Sequence, residues 1–195
     1  MKIFDYHRIA DEKLTGKGNL SALVYLIYSL IIGALGSMAG IGLLLLGGPV
    51  HLGFANYIYD VYHGENVDVV TLFKPFNKDI LKPIILGAVS TIYIALWSLL
   101  FVIPGIIKMY SYSMIYFIQL ENPDMHYEEV ITKSRKIMKG NKGRLFCIHL
   151  SYIGWFILSA LTFGILLFWV MPKVQMAKYE LYRQISFDPL LIKEE

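Results

Sequence analysis

The chain has 195 residues, a length typical of one domain. Hydrophobic residues make up 56% of it and charged residues 17%, which excludes an ordinary water-soluble domain, because such a domain needs a more polar surface. The net charge is +3. The basic residues are concentrated in a few segments, and this distribution favours a membrane protein and argues against a nucleic-acid partner. The single cysteine, Cys147, excludes an internal disulfide.

Three apolar stretches dominate the sequence, and each ends at or shortly before a proline. They are residues 20–46 before Pro49, residues 80–103 before Pro104, and residues 145–171 before Pro172. About 20 apolar residues in a helix cross the hydrocarbon core of a bilayer. Each stretch is therefore predicted to span a membrane.

A shorter segment that contains tyrosines follows each proline. Aligning the three prolines brings Tyr57 and Tyr112 to the same position and Tyr179 one residue out of step. This pattern indicates one unit used three times: an apolar helix, a turn, and a shorter returning helix. We predict an all-α transmembrane bundle of about six helices in a single domain, 1–195, with three pseudo-repeated hairpins. The hairpins cover about 20–63, 80–120 and 145–185.

The positions of the turns follow from glycine and proline. We expect turns at 47–48 in the first unit and at 103–105 in the second. The third unit has two solutions, a turn at Gly164 with Pro172 as a kink inside the sixth helix, or a turn at Pro172 itself. A three-span alternative places the returning segments on the membrane surface, but residues 106–120 are too apolar for that position.

The charges test the hairpin prediction. The N-terminus, the 64–82 linker, the 121–144 linker and the C-terminus share one side in this topology, and they hold sixteen of the 18 Lys and Arg residues. Basic residues concentrate in cytoplasmic loops. The expected location is the cell membrane, as a multi-pass protein with both termini in the cytoplasm.

Amphipathic segments lie between the units. Residues 127–138 place apolar side chains on one helical face and charges on the other, and residues 4–14 and 69–76 show weaker versions. We expect these segments to be interfacial helices. Gly33, Gly36 and Gly40 recur at a spacing that predicts close contact between helices.

Two motifs carry a resemblance to a known family. The segments Ser134-Arg-Lys-Ile-Met-Lys-Gly-Asn-Lys-Gly-Arg-Leu-Phe146 and Leu150-Ser-Tyr-Ile-Gly-Trp155 resemble those of the bacterial integral membrane proteins catalogued as domain of unknown function 975. The resemblance implies a multi-span bacterial membrane protein without an established activity. Because some members are suggested to lie near peptide-bacteriocin genes, it also implies a role in peptide export or immunity.

A basic cluster follows the predicted amphipathic helix. Its residues are candidates for binding anionic lipid headgroups, a nucleotide or the acidic tail of a partner, and the simpler interpretation is an ordinary cytoplasmic loop. The candidate residues are Arg135, Lys136, Lys139, Lys142 and Arg144.

Polar residues inside the predicted spans form a second set of candidates, because such residues are costly in lipid and tend to face a cavity or a partner. The simpler interpretation assigns them to the membrane interface and to bonds between helices. Asn56 and Asp60 are four residues apart and share a helical face. The full set is His51, Asn56, Asp60, Lys108, Tyr112, His149 and Tyr179.

The sequence predicts no catalytic site, no metal site and no cofactor, because its five His residues are scattered and its serines have no identifiable base. We therefore expect a non-enzymatic accessory, scaffold or peptide-immunity and export-associated protein. Its expected partners are the lipid bilayer, anionic headgroups, and a peptide or another membrane protein. The alternative is a small transporter or channel for an amphipathic molecule.

Overall fold

The computed structural model describes residues 3–37, 40–77, 80–100 and 102–186, and the regular structure in these ranges is entirely helical. This confirms the predicted all-α class. In chain order the helices are α1 (Ile3–Leu14), α2 (Gly18–Ser37), α3 (Ile41–Tyr62), the 3-10 helix η1 (Val69–Asn77), α4 (Leu81–Leu100), α5 (Val102–Ser111), α6 (Ile115–Glu121), α7 (Tyr127–Ile137), α8 (Lys142–Ser151), α9 (Ile153–Leu161) and α10 (Leu167–Ser186).

In the described ranges four helical segments are long and apolar enough to cross a membrane, fewer than the about six helices predicted. They are Gly18–Ser37, Ile41–Tyr62, Leu81–Leu99 and Lys142–Leu161, and the last covers both α8 and α9. Large apolar side chains such as Leu99, Ile103 and Leu161 are mostly exposed on α4, α5 and α9, as expected for surfaces that face lipid. These features indicate a multi-pass membrane protein.

Helix α3 lies at the centre of the molecule. It packs against α1, α2, η1, α4, α6 and α10. In its most apolar window 61% of the residues are buried, compared with 22% in each of the other three candidate spans. From Gly47 onward most residues of α3 are buried, and polar side chains in this part of the helix need partners inside the protein.

The first unit differs from the predicted hairpin. Pro49 and the predicted turn residues 47–48 lie inside α3, and the chain instead reverses between α2 and α3 next to Gly40. Gly40 has a φ of 77°, in the left-handed region that glycine adopts most readily. Residues 38 and 39 lie outside the described residues. The apolar stretch 20–46 is thus divided between two helices.

The second unit also differs from the prediction. Helix α5 begins at Val102, so the predicted turn residues 103–105 are helical, and Pro104 lies in the first turn, where the missing N–H has no helical acceptor to lose. Residue 101 lies outside the described residues. A further break after Ser111 divides the returning segment into α5 and α6.

The third unit resolves the open choice between two turns. The chain turns at residues 162–166, where Phe163 and Gly164 have φ angles of 51° and 84°, and Pro172 lies inside α10. The alternative with a turn at Gly164 is therefore confirmed. The preceding apolar segment is interrupted at Tyr152, between α8 and α9.

The predicted amphipathic helices are present as α1 and α7. In α7 the buried residues are Val130, Ile131, Ser134 and Ile137, which confirms the predicted apolar face. The Ser134 hydroxyl donates a 2.8 Å hydrogen bond to the carbonyl of Ser111, which ties α7 to the end of α5. Helix α1 packs against α10. Their predicted location at the membrane interface stays a prediction.

Glycines let the neighbours of α3 approach its backbone. A Cβ added at Gly48 would overlap the carbonyl of Pro83 in α4, and a Cβ at Gly53 would overlap the carbonyl of Leu72 in η1. Gly87 of α4 in turn faces Gly48. These contacts position α4 and η1, and with them the cavities described below.

We predict that Gly53→Ala lowers the free energy of unfolding by about 1–3 kcal/mol, because the backbone of Leu72 must move away from the added methyl group. The matched control is Gly33→Ala in α2, where an added Cβ meets no atom within 4 Å. The control should raise stability by up to about 1 kcal/mol through helix propensity. Unfolding of both variants in detergent checks the prediction, and equal shifts would contradict it.

Candidate functional site

A buried carboxylate organises the contact between α3 and the end of α10. Glu180 is 8% exposed, and its Oε2 accepts a 2.6 Å hydrogen bond from the Tyr62 hydroxyl. The same hydroxyl accepts a 2.9 Å bond from Nη1 of Arg183, and Gln184 Nε2 donates to Glu180 Oε1 at 2.9 Å. Because the carboxylate is hydrogen-bonded, its burial is stabilised rather than penalised.

This network continues into the N-terminal helix. The Tyr6 hydroxyl donates to Gln184 Oε1 at 2.8 Å and accepts from Nη2 of Arg144 at 2.7 Å. Burial raises the pKa of Tyr6, so the phenol keeps the proton that it donates. Helices α1, α8 and α10 are therefore joined at one place.

A cavity of about 290 Å³ lies between α2, α3, α4, α5, α6 and α10. Aromatic and aliphatic side chains form most of its wall, and several polar side chains also line it. The polar residues used below are Tyr28, His51, Thr91, Tyr112, Gln175 and Lys178. We call it the Lys178 cavity.

Lys178 is the cationic residue of this cavity. Its Nζ lies 5.5 Å from the centre of the Phe117 ring, a distance compatible with a cation–π contact. No Asp or Glu lines the cavity, and among the described residues no hydrogen-bond acceptor or carboxylate pairs with Nζ. An ammonium group in such surroundings is unusual, because buried lysines are normally paired.

The opposite wall holds a histidine and two tyrosines. Nδ1 of His51 and the Tyr28 hydroxyl are 2.6 Å apart, and the ring of Tyr116 lies 5.5 Å from the His51 ring. These groups supply hydrogen-bonding atoms beside the cation. The arrangement is suited to holding an anionic group, with Lys178 as the charge and the hydroxyl and imidazole groups as orienting partners.

The cavity reaches the apolar outside of the molecule. Thr91 on α4 is exposed, and Met109 on α5 is 48% exposed, yet both side chains line the cavity. Part of the cavity wall is therefore formed by side chains that are also exposed on the outer surface of these two helices.

Two of the sequence-predicted residues meet in this cavity, His51 and Tyr112. The others lie elsewhere. Nδ1 of His149 is 3.1 Å from the hydroxyl of Tyr110, the hydrogen bond between helices that the simpler interpretation predicts. Lys108 lies over the Trp97 ring, with its Nζ 4.6 Å from the ring centre.

Asn56, Asp60 and Tyr179 also lie outside the Lys178 cavity. Asp60 Oδ2 pairs with Nζ of Lys74 at 2.6 Å, and Lys74 lines a second cleft together with Asn56. Tyr179 is fully buried in an aromatic cluster, with its ring 5.0 Å from both Tyr62 and Phe117. The polar residues predicted from the sequence thus lie in several different environments.

The sequence reasoning missed Lys178, because it was counted with the cytoplasmic charges of the C-terminal segment. The spacing of residues along α10 nevertheless indicates that Lys178 lies on its buried face. Val174 and Tyr182 lie four residues before and after Lys178, so all three share one face of α10, and both neighbours are buried. Gln175, three residues before Lys178, lies on the same face.

The basic cluster is divided by its contacts. Arg135, Lys136 and Lys139 are exposed, and Lys142 is half-buried. Arg144 is also exposed at its surface, but its guanidinium is held by Tyr6 and Gln184. Among the described residues, no three His, Cys, Asp or Glu side chains group together as metal ligands.

Comparison with known proteins gives a family match over part of the chain and no activity. Residues 99–188 match the model of a family described as "Protein of unknown function (DUF975)". The match includes α5 to α10 and both motifs that carry the resemblance seen in the sequence, which it confirms for these residues. No curated protein and no solved structure matches the chain.

The exposed residues of the basic cluster and the hydrogen-bonded Arg144 are expected to respond differently to substitution. Replacing Arg135, Lys136 and Lys139 with Gln should weaken association with anionic lipid by about 1 kcal/mol per charge. Energy transfer from the tryptophans to dansyl-labelled phosphatidylglycerol in nanodiscs measures it, with labelled phosphatidylcholine as the neutral control.

Arg144→Gln is the contrasting variant. It should leave lipid association nearly unchanged and instead lower the free energy of unfolding by about 1 kcal/mol, because the Tyr6 and Gln184 bonds are lost. A large loss of lipid association in Arg144→Gln without a change in stability would contradict the assignment.

Proposed function

We propose that this protein is a non-enzymatic accessory membrane protein that binds an amphipathic molecule by its anionic headgroup in the Lys178 cavity. The observation that carries the proposal is that, within the described ranges, Nζ of Lys178 has no acceptor or carboxylate partner and no Asp or Glu lines its cavity. The headgroup chemistry is a phosphate or a carboxylate. The apolar tail would lie along α4 and α5.

Lys178 places an ammonium group in a cavity inside the protein. Taking an ammonium group out of water costs free energy unless an anion or hydrogen-bond acceptors replace the water. A bound phosphate or carboxylate would supply both charge and acceptors, and the protein would gain stability by binding it. This fits a lipid-dependent accessory or scaffold role, including one in peptide export or immunity.

The proposed location is the cell membrane, with both termini in the cytoplasm. Support comes from hydrogen bonds that connect the segments predicted to share this side, the two terminal segments and the two charged linkers. The connecting pairs are Lys17 with the Glu65 carbonyl, Lys82 with the Pro123 carbonyl, and Tyr182 with the Glu121 carboxylate. Fifteen basic residues in these segments, counted without Lys178, favour the cytoplasmic side.

Transport of an amphipathic molecule is the second candidate. Pro49 lies in α3 and Pro172 in α10, so the two helices that supply His51 and Lys178 both have an interrupted hydrogen-bond ladder. Proteoliposomes with fluorescent phosphatidylglycerol separate the two candidates. A transporter accelerates movement of this lipid between leaflets, whereas a binding protein does not.

The test of the proposed site uses Lys178→Met, which keeps the length of the side chain and removes the charge. We expect its affinity for phosphatidylglycerol or oleate to fall about 10- to 100-fold, the effect of losing a hydrogen bond to a charged group. Native mass spectrometry measures the retained ligands. The two ligands distinguish a phosphate from a carboxylate site, and phosphatidylcholine is the neutral comparison.

Lys173→Met is the matched control, because Lys173 lies on the same helix but pairs with Asp11 at 2.6 Å outside the cavity. It should retain the ligand. Equal retention by wild type and Lys178→Met would overturn the proposed site.

Topology is tested with single cysteines in a Cys147→Ser background. Lys139→Cys should react with an impermeant maleimide only from the cytoplasmic side. Phe163→Cys, at a turn where the side chain is 98% exposed, should react only from outside. Labelling of both positions from the same side would refute the proposed arrangement.

A further inference from the structure

A second and larger cleft lies apart from the Lys178 cavity and shares no lining residue with it. Its volume is about 630 Å³, within the roughly 300–1,000 Å³ typical of ligand sites. Helix α3, η1, the start of α4 and the end of α6 form its walls. Polar side chains on these walls include Asn56 and Gln119. We call it the amide cleft.

Gln119 presents an unused acceptor at this cleft. The residue is only 5% exposed, and its Nε2 donates a 3.2 Å hydrogen bond to the carbonyl of Pro123. That carbonyl also accepts from Nζ of Lys82 at 2.9 Å. The bond to Pro123 fixes the orientation of the Gln119 amide, since the opposite orientation would set two oxygens against each other. Oε1 is left buried without a partner in the described structure.

Asn56 presents an unused donor at the same cleft. Its Nδ2 is buried and has no hydrogen-bond partner in the described part of the chain. Buried unsatisfied polar atoms are rare in folded proteins, because each costs the free energy of its lost hydration. Both atoms belong to residues that line one cleft, on two different helices, so a single ligand that displaces the two amides slightly can bond to both.

The two unsatisfied atoms are chemically complementary to an amide group. A ligand carbonyl accepts from Asn56 Nδ2, and a ligand N–H donates to Gln119 Oε1. A phosphate or carboxylate ion would satisfy the donor but not the acceptor. A polypeptide backbone carries both groups in every residue other than proline.

The walls of the cleft favour an extended peptide over a helix or a strand pair. Pro75, Pro83 and Pro123 line the cleft and have no N–H to donate to a ligand carbonyl, so the Asn56 amide is suited to supply that donor. Leu52 and Leu120 add apolar surface for the ligand side chains. A helical ligand has its own backbone bonds satisfied and would leave both protein atoms without partners.

We infer that the amide cleft binds an extended peptide segment of a partner polypeptide through its backbone, with Asn56 as donor and Gln119 as acceptor. The site goes beyond the proposed lipid-binding function and does not depend on it. Entry of the backbone displaces the two side-chain amides slightly, because both atoms are covered in the unliganded cleft.

The experiment compares two probes that differ only in hydrogen bonding. One is capped hexa-alanine with a fluorescein label, and the other is the corresponding hexa-lactate, in which ester oxygens replace the backbone N–H groups. Fluorescence anisotropy with the full-length protein in nanodiscs measures Kd, and empty nanodiscs correct for partition into lipid. We expect the amide probe to bind about tenfold more tightly than the ester probe.

Variants assign the difference to the cleft. Gln119→Met should reduce the tenfold preference for the amide probe to about onefold, and Asn56→Leu should weaken both probes about equally because it removes the donor to their carbonyls. Gln175→Met is the matched control, the same change made in the Lys178 cavity, and should leave both Kd values unchanged. Retention of phosphatidylglycerol by the Gln119 and Asn56 variants should also be unchanged.

The inference is overturned if hexa-alanine does not bind at millimolar concentration, or if the amide and ester probes bind wild type equally. It is also overturned if Gln175→Met abolishes the preference while Gln119→Met does not. Failure of the lipid proposal has a separate signature, which is unchanged phosphatidylglycerol affinity in Lys178→Met.

Discussion

Close backbone contact around α3 is the constraint on which both cavities depend. Gly48 allows the first turn of α4 to touch α3, and Gly53 allows η1 to do the same on another face. Five residues separate the two glycines, so they point about 140° apart around the helix. These backbone contacts limit how closely α4 and η1 approach α3. The side chains that follow each glycine on α3 therefore face the cavities. His51 reaches one space and Asn56 the other.

The two cavities have different chemistry because different elements complete them. Helix α10 brings a cation to the aromatic walls of the Lys178 cavity, whereas α6 and the Pro123 turn bring an amide to the amide cleft. The hydrogen bonds that include Glu180, Tyr62, Gln184 and Tyr6 join α10 to α3 and α1, and they thereby fix the position of Lys178 relative to His51. An amphipathic ligand and a peptide would therefore bind independently on one rigid centre.

The sequence predicted the helical class and the amphipathic face of α7, and it included the turn at Gly164 as one of two solutions, because each depends on local periodicity or on a single residue. It misplaced the turn of the first unit, since proline is tolerated inside a packed membrane helix when neighbouring groups compensate. The glycine contacts were assigned to Gly33, Gly36 and Gly40. An added Cβ meets no described atom within 4 Å at Gly33, it meets only the Leu43 side chain at 3.6 Å at Gly36, and Gly40 is part of a turn. The positions where an added Cβ would overlap a neighbour are Gly42, Gly48, Gly53, Gly87 and Gly105. Lys178 and Gln119 depend on which helices meet, and the spacing of residues along one helix does not contain that information.

The most direct test of the central claim is an experimental structure of the protein purified with its native membrane lipids. If Lys178 binds an anionic amphipathic molecule, we expect density for its headgroup within hydrogen-bonding distance of Lys178 Nζ, with a tail leaving between α4 and α5. A cavity closed by the surrounding side chains, with Lys178 turned toward solvent or paired with a protein carboxylate, would contradict it.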